Sequence, residues 1–409
     1  MPEILQHTFR NGLTLLAEPV ASAQSLSMSL LTPASVASEP PHHLGIAAIL
    51  ADMLGRGAGG LDAKGHSDAL DHLGIMRSSN AGVSRYRLGA TMIGTKLADA
   101  MPLLIDMIRK PMLSEAALEP SRDLALQALD SLEDEPQEKV FIELRKRHYP
   151  QPLGRSTLGE REHIESITID DIRTFWQRTM VPQGSVIGFA GAFDWAQLKA
   201  LVESLLGDWA GTIAEPAANG EPMRGYQHEI ADTQQVHIGL AYDALAEPDD
   251  RSILQRAAVN VLSGGMSGRL FTEVREKRGL CYSVYASYSG QRDRGAILSY
   301  AGTTVPRAQE TLDVLTAELR RLSDGIEKSE FDRAIVGMKS RLVMQGESTG
   351  ARAAAIASDQ YTLGRPRSLD EMAKRVDAIT LDAVNQFVKD NPPGAMTIVT
   401  VGPSPLNVG

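Results

Sequence analysis

The sequence predicts an α+β fold built twice, and three observations carry that expectation. Strand and helix signals follow one another in a similar order before and after residues 210–226. Particular residues also recur. Ile167-Thr168-Ile169-Asp170, Phe175 and the apolar run Val186 to Gly191 match Ile379-Thr380-Leu381-Asp382, Phe387 and Ile398 to Gly402, an offset near half the chain. Between the halves, AGTIAEPAANGEPMRGY at 210–226 is rich in Gly, Ala and Pro and has no apolar period, so it reads as a linker. The expected organisation is an N-terminal domain at 1–212, a linker at 213–225 and a C-terminal domain at 226–409.

Element by element, His7-Thr8-Phe9, the turn Asn11-Gly12 and Leu13 to Glu18 predict a β-hairpin, with a further strand over Ser25 to Leu30. Leu44 to Leu54 is apolar on nearly every side and reads as a buried helix ended by Gly55 and Gly57. Amphipathic helices are expected at 64–73, 98–109, 114–130 and 140–147, with strands at 76–79 and 84–92. Thr168 and Asp171 sit in capping positions for a helix to Thr179; a strand at 185–189 and a helix at 195–206 complete the first half. The second half reads as a strand at 235–242, a helix at 251–262, a strand at 296–302 and helices at 305–322, 330–345 and 349–362.

The most informative stretch is GGMSGRLFTEVREKRGLCYSVY, residues 264–285. Gly264, Gly265 and Gly268 make a flexible turn where backbones can approach closely. Arg269 to Lys277 is dense in helix formers, Gly279 stands where a C-cap belongs, and Leu280 to Tyr285 reads as a strand. A tight helix-to-strand turn can bring Arg275 and Tyr282 to one side. Together a guanidinium and a phenol could hold a carbonyl oxygen that gains charge in acyl transfer. The same spacing also describes an exposed arginine favoured by the helix dipole and a half-buried core tyrosine, and spacing alone favours that plainer account. No Gly-Lys-Ser/Thr follows the glycines, which excludes a phosphate loop.

The 409 residues carry 41 Lys plus Arg against 51 Asp plus Glu, a net charge of −10 that argues against nucleic acid as the main partner. Cys281 is the single cysteine, so no intramolecular disulfide forms. No apolar run reaches membrane-spanning length. Residues 1–16 contain Glu3, His7, Arg10 and Asn11 and lack the apolar core of a signal peptide. The chain as given therefore reads as cytoplasmic, or periplasmic if a leader has been removed. His42 and His43 are adjacent, and His66 and His72 are six apart, so neither pair shares a helical face as metal ligands would; they read as surface or capping histidines. The acidic cluster Asp130, Glu133, Asp134, Glu135 and Glu138 has no calcium-loop spacing and reads as a solvated helix end.

The stretch 264–285 resembles the second half of the pitrilysin-type peptidases, the family of insulinase and the mitochondrial processing peptidase. That family has a Gly-rich loop, Ser-Arg-Leu-Phe, an Arg-Glu-Lys-Arg-Gly run and Tyr-Ser. Asn11-Gly12-Leu13, Tyr300-Ala301-Gly302-Thr303 and Glu347-Ser348-Thr349 with Arg352 extend the resemblance over nearly the whole chain. It implies two homologous domains, each a mixed, mainly antiparallel sheet backed by helices. It also implies that Arg275 and Tyr282 contact substrate near the scissile bond, beside a peptide-binding loop at Gly264, Gly265, Met266 and Ser267. In active members the helix matching Leu44–Leu54 carries the zinc motif H-x-x-E-H. Here those positions are Ala48, Ala51 and Asp52, and the third ligand falls near Gln127 or Ala128. The resemblance therefore implies no metal bound by this chain. The expected role is the non-metal subunit of a heterodimeric zinc endopeptidase: inactive alone, supplying Arg275 and Tyr282 to the zinc site of a homologous H-x-x-E-H partner, with a homodimer possible in isolation. The alternative is a catalytically inert structural or peptide-binding homologue, like the core subunits of respiratory complexes.

Overall fold

A computed structural model describes residues 3–408. Strands β1 (Leu5–Thr8) and β2 (Thr14–Pro19) form the expected hairpin, and β3 (Ser25–Thr32) follows. Next come α1 (Ile46–Met53), the short pair β4 (Gly57–Ala58) and β5 (Leu61–Asp62), and α2 (Ala63–His72). Then β6 (Met76–Ala81) and β7 (Tyr86–Ile93) lead to α3 (Leu97–Arg109), α4 (Glu115–Ser131), α5 (Pro136–His148) and α6 (Arg161–Ser166). The first half closes with α7 (Ile169–Thr179), β8 (Val186–Gly191) and α8 (Trp195–Leu206). The capping box read from Thr168 and Asp171 is formed in both directions. The second half runs through β9 (Tyr226–Ile230), β10 (Gln235–Ala244), α9 (Ser252–Ser263), a π-helix (Phe271–Glu276), β11 (Cys281–Gly290) and β12 (Gly295–Thr304). It ends with α10 (Ala308–Arg321), α11 (Lys328–Gly346), α12 (Thr349–Leu363), α13 (Leu369–Asp377), α14 (Leu381–Asp390) and β13 (Thr397–Gly402).

The chain is mixed α+β, in two compact units that interleave along the sequence. One comprises the residues up to Ser131, Gln151–Asn219 and Gln345–Ser368. The other comprises Leu132–Pro150, Gly220–Met344 and the residues from Leu369 onward. Helix α5 thus belongs with the unit made mostly from the second half, and α12 with the unit made mostly from the first.

In the first unit the sheet order is β1-β2-β8-β3-β7-β6. Only the β2–β8 pairing is parallel among its described neighbours, in register Thr14 with Val186. One face sends Leu26, Met28, Leu30 and Leu88 into a core with Ile46, Ile49 and Leu50 of α1. The other face sends Leu16, Leu31 and Val186 against Ile356 and Ala357 of α12. Covering on both faces explains why β3 is buried almost along its length. Arg352 of α12 is buried and paired with Glu18 of β2, its Nε donating to Oε2 at 2.8 Å.

In the second unit the sheet order is β11-β12-β10-β13-β9, again mixed, with β13 and β9 parallel. Ile238, Leu240, Ile297 and Ile398 pack with α9, α10 and α14 through Leu262, Leu315 and Val384. Helix α5 covers the opposite face. Phe141 stacks on Tyr285 at 6.0 Å, and His148 Nδ1 shares a hydrogen bond with Thr397 Oγ1 at 3.0 Å. Among the described residues no helix is long and apolar enough to cross a membrane.

Candidate functional site

Arg275 and Tyr282 each lie at a break in regular backbone geometry. The sequence predicts an ordinary helix over Arg269 to Lys277; instead Phe271–Glu276 forms a π-helix. Its wider turn is closed by Lys277 N–H donating to Thr272 O at 2.9 Å, a bond spanning five residues. Leucine, valine and glutamate satisfy either helix type, so composition does not mark the difference. Gly279 then reverses the chain at φ +61°, as its C-cap position requires.

Tyr282 follows on β11, the outer strand of its sheet. Cys281 opposes Thr303 and Ser283 opposes Gly302, so Tyr282 is the extra residue of a β-bulge. The bulge turns the phenol outward, and Tyr282 is 66% exposed. That corrects the reading of a half-buried core tyrosine. Its neighbour Cys281 is buried, and burial pushes the thiol up to about 11 against the opposing pull of Arg275. A thiol held that high is not a nucleophile.

The phenol lines an open cleft of about 520 Å³ with His237, Ser283, Tyr300 and Gly302 on one side and Gln137 and Glu138 on another. Its lining residues are tightly bonded. His237 Nδ1 shares a 2.7 Å hydrogen bond with Tyr300 Oη, and Gln137 Nε2 donates to Tyr285 Oη at 3.0 Å. Burial lowers the His237 imidazole and raises the Tyr300 phenol, so both are neutral near pH 7. Asp134 and Glu135 of the acidic cluster stand at the rim, while Glu133 is paired with Lys139 and Asp130 with Arg161. His237 was not found from sequence, and Tyr300 was marked only as part of the resemblance, since nothing local shows that either stands beside Tyr282.

Arg275 is exposed, and its guanidinium carbon sits 4.8 Å from the Phe271 ring centroid. Among the described residues no hydrogen bond or ring contact joins it to Tyr282. Gly264, Gly265 and Ser267 line a separate groove of about 440 Å³ against Arg333 and Gly337 of α11, and Met266 projects outward, 76% exposed. Gly265 has φ +154° and Gly264 leaves no room for a Cβ beside Asn260 O, so the loop depends on glycine at both. Arg269 fixes the start of the π-helix to α11 through two 2.6 Å bonds to Glu330, and is structural.

On α1, Ala48 and Ala51 offer no donor atom. Asp52 Oδ2 accepts from both Arg56 Nε and Ser121 Oγ at 2.5 Å. Ala128 lies exposed on α4, whose Ser121 is the residue that reaches Asp52. These residues do not fit a zinc site. Among the described residues no group of three or more His, Cys, Asp or Glu is placed to hold a metal. His66, read as a surface or capping residue, is instead buried, with Nε2 at 3.0 Å from Leu103 O; His43 faces Asp171 at 3.9 Å. The α1 N-terminus is capped by buried Glu39, whose Oε1 accepts from Gly45 and Ala47 N–H at 3.1 and 3.0 Å.

Comparison with known proteins matches residues 17–161 to the model described as Insulinase (Peptidase family M16) and residues 166–338 to Peptidase M16 inactive domain. A protein named as an uncharacterized zinc protease of Streptomyces coelicolor is 27% identical over 408 residues, covering 97% of this chain and 89% of that one. The fold matches a crystal structure of a peptidase M16 inactive domain from Pseudomonas fluorescens at TM-score 0.87 and 21% identity, covering 100% of both chains. It also matches a chain of complex III2 from Candida albicans at TM-score 0.81 and 20% identity, covering 98% and 96%.

Proposed function

We propose that this chain, which belongs to the insulinase family (peptidase family M16), is the non-metal subunit of a two-chain zinc endopeptidase. Its domain of action is the second unit. Tyr282 and Arg275 donate hydrogen bonds to the peptide carbonyl whose oxygen gains charge, and the Gly264–Ser267 loop lies along the peptide. The metal and the group that activates water belong to a homologous partner with the H-x-x-E-H motif. The observation that carries this reading is the coincidence of two backbone irregularities with the two residues. A π-helix holds Arg275 and a β-bulge holds Tyr282, and both devices serve to re-aim side chains at functional positions. Their presence beside an α1 without ligands suits a division of labour. A rival reading, an inert peptide-binding or structural subunit, is favoured by the Arg275 guanidinium resting on Phe271 without a contact to Tyr282.

One experiment separates the two. The chain is co-expressed with a partner carrying H-x-x-E-H, and turnover of a quenched peptide is measured for wild type, Tyr282→Phe and Arg275→Ala, with assembly checked by size. Loss of one transition-state donor lowers turnover by about 10²–10³. Because both donors act as charge develops, the loss falls mainly on kcat. Arg275→Lys restores the charge without the fork and rescues only partly. Wild-type turnover from both variants in an assembled complex would leave the inert reading standing.

A further inference from the structure

The first unit contains an arginine that no carboxylate pairs with among the described residues. Arg87 of β7 is part-buried beside α12, and burial lowers its guanidinium. Its hydrogen-bond partners are two hydroxyls, Ser29 Oγ at 3.3 Å and Ser358 Oγ at 2.9 Å. Buried arginines elsewhere in the same unit are each matched by a carboxylate: Arg352 by Glu18, Arg85 by Glu215 and Arg367 by Asp359. A part-buried cation held only by hydroxyls is costly unless an anion joins it, and among the described residues two of its five N–H donors have a partner.

The space beside Arg87 is shaped for such an anion. Ser29 of β3, Gly89 of β7 and Ser78 of β6 lie directly across from one another in register. They therefore share one face of the sheet, the face that also carries Thr91 and Arg87. Gly89 contributes no side chain, so the middle of the row is open, and a Cβ there would stand 3.1 Å from Ser78 Oγ. These residues line a cleft of about 370 Å³, closed on the α12 side by Gly350 and Ala354, with no carboxylate in its lining. That volume holds a group the size of one amino-acid residue.

We propose that this cleft binds a peptide carboxylate, from an acidic side chain or a C-terminus, through the Arg87 guanidinium with Ser29 and Ser78 alongside. Arg77 also lines the cleft, but it opposes Ala90 and so belongs to the other face of the sheet, where its Nη1 lies 3.1 Å from a Cβ built on Gly55. Among the described residues Arg87 is thus the one guanidinium on the cleft's face, and a single guanidinium matches a planar monoanion edge to edge, whereas a phosphate dianion calls for more than one cation. The choice of a peptide as source rests on the proposed peptide-contacting role; the carboxylate itself rests on the cleft alone.

The test uses the purified full chain and four probes at matched ionic strength: an acetylated, amidated alanine peptide with one central glutamate, its glutamine counterpart, an acetylated alanine peptide with a free C-terminus, and inorganic phosphate. Affinity is read by calorimetry on wild type, Arg87→Met and Gly89→Ala. The expected result is binding of the glutamate peptide, the free-acid peptide or both, at least tenfold tighter than the glutamine peptide, and weakened at least tenfold by either substitution. Which of the two acids binds identifies the source. Arg87→Met without ligand should melt at or above the wild-type temperature, because it removes an unmatched charge; this also shows that the variant folds. Equal affinity for glutamate and glutamine peptides, unchanged affinity in Arg87→Met, or binding of phosphate alone would each overturn the assignment. Binding needs no partner subunit, so a failure here stands apart from the turnover assay of Tyr282 and Arg275.

Discussion

The Glu18–Arg352 pair fixes a helix from late in the chain onto a sheet from its beginning, and breaking it should loosen α12 in particular. Both groups are buried, Arg352 at 2% and Glu18 at 7% exposure. Arg352 Nε and Nη2 approach the same carboxylate oxygen at 2.8 and 2.7 Å, and Nη2 also donates to Arg367 O at 3.3 Å. Glu18→Gln keeps an acceptor but removes the charge. With charge centres about 4 Å apart and an effective dielectric near 20, the lost attraction is about 4 kcal/mol, in line with the roughly 3–5 kcal/mol found when one partner of a buried pair is removed. The assay is amide hydrogen exchange in α12, with α14 in the other unit as internal reference. At about 1.4 kcal/mol per factor of ten, protection in α12 should fall by about 10³ while α14 is unchanged. Glu18→Leu with Arg352→Met removes both charges and should recover protection to within about a factor of ten. Unchanged protection in Glu18→Gln, or a double variant as loose as the single one, would refute the reasoning.

Three further outcomes are expected. Burial, with Arg224 adding to it, lowers His148 from 6.5 to about 4. The unfolded chain thus binds more protons below pH 6.5, and the second unit should lose up to about 3 kcal/mol as pH falls from 6.5 through 4; His148→Asn should flatten that slope in unfolding measured by His-independent fluorescence. The purified chain, with no donor at Ala48 or Ala51, should hold well under one zinc per chain after dialysis, and a stoichiometric metal by elemental analysis would contradict this. We also propose 213–225 as the junction between domains, so limited proteolysis should cut first within 210–226; because each unit draws chain from both sides of that stretch, the fragments should still co-elute, and first cuts inside 254–285 would contradict the boundary.

How much of this was legible depends on whether the determining residues lie close together in sequence. The Asn11-Gly12 hairpin, the Thr168–Asp171 capping box and the bounds of α8 were readable because each is set within a few residues. The residues at the places where the resemblance puts the zinc motif were readable as well, since Ala48, Ala51 and Asp52 are given by the sequence itself. Strand β9 was not, because Tyr226–Ile230 has little apolar content and is a strand through its pairing with β13. Which sheet α5 and α12 cover was not readable either: an amphipathic stripe says that a helix buries a face, not against what. The site divides on the same line. Arg275 and Tyr282 were singled out by the resemblance of 264–285, not by spacing, and the devices that present them each amount to one residue more than a regular element takes. A π-turn spends five residues where an α-turn spends four, and the bulge spends two residues of β11 against one of β12. Neither changes composition or hydrophobic pattern, so a reading based on regular periods passes over them and assigns Tyr282 to the core. Irregularity of that kind costs stability and persists when something else is gained. Tyr282 is therefore the more exacting test of function: a bulge kept for packing has no use for its hydroxyl, and Tyr282→Phe would then be silent in an assembled complex.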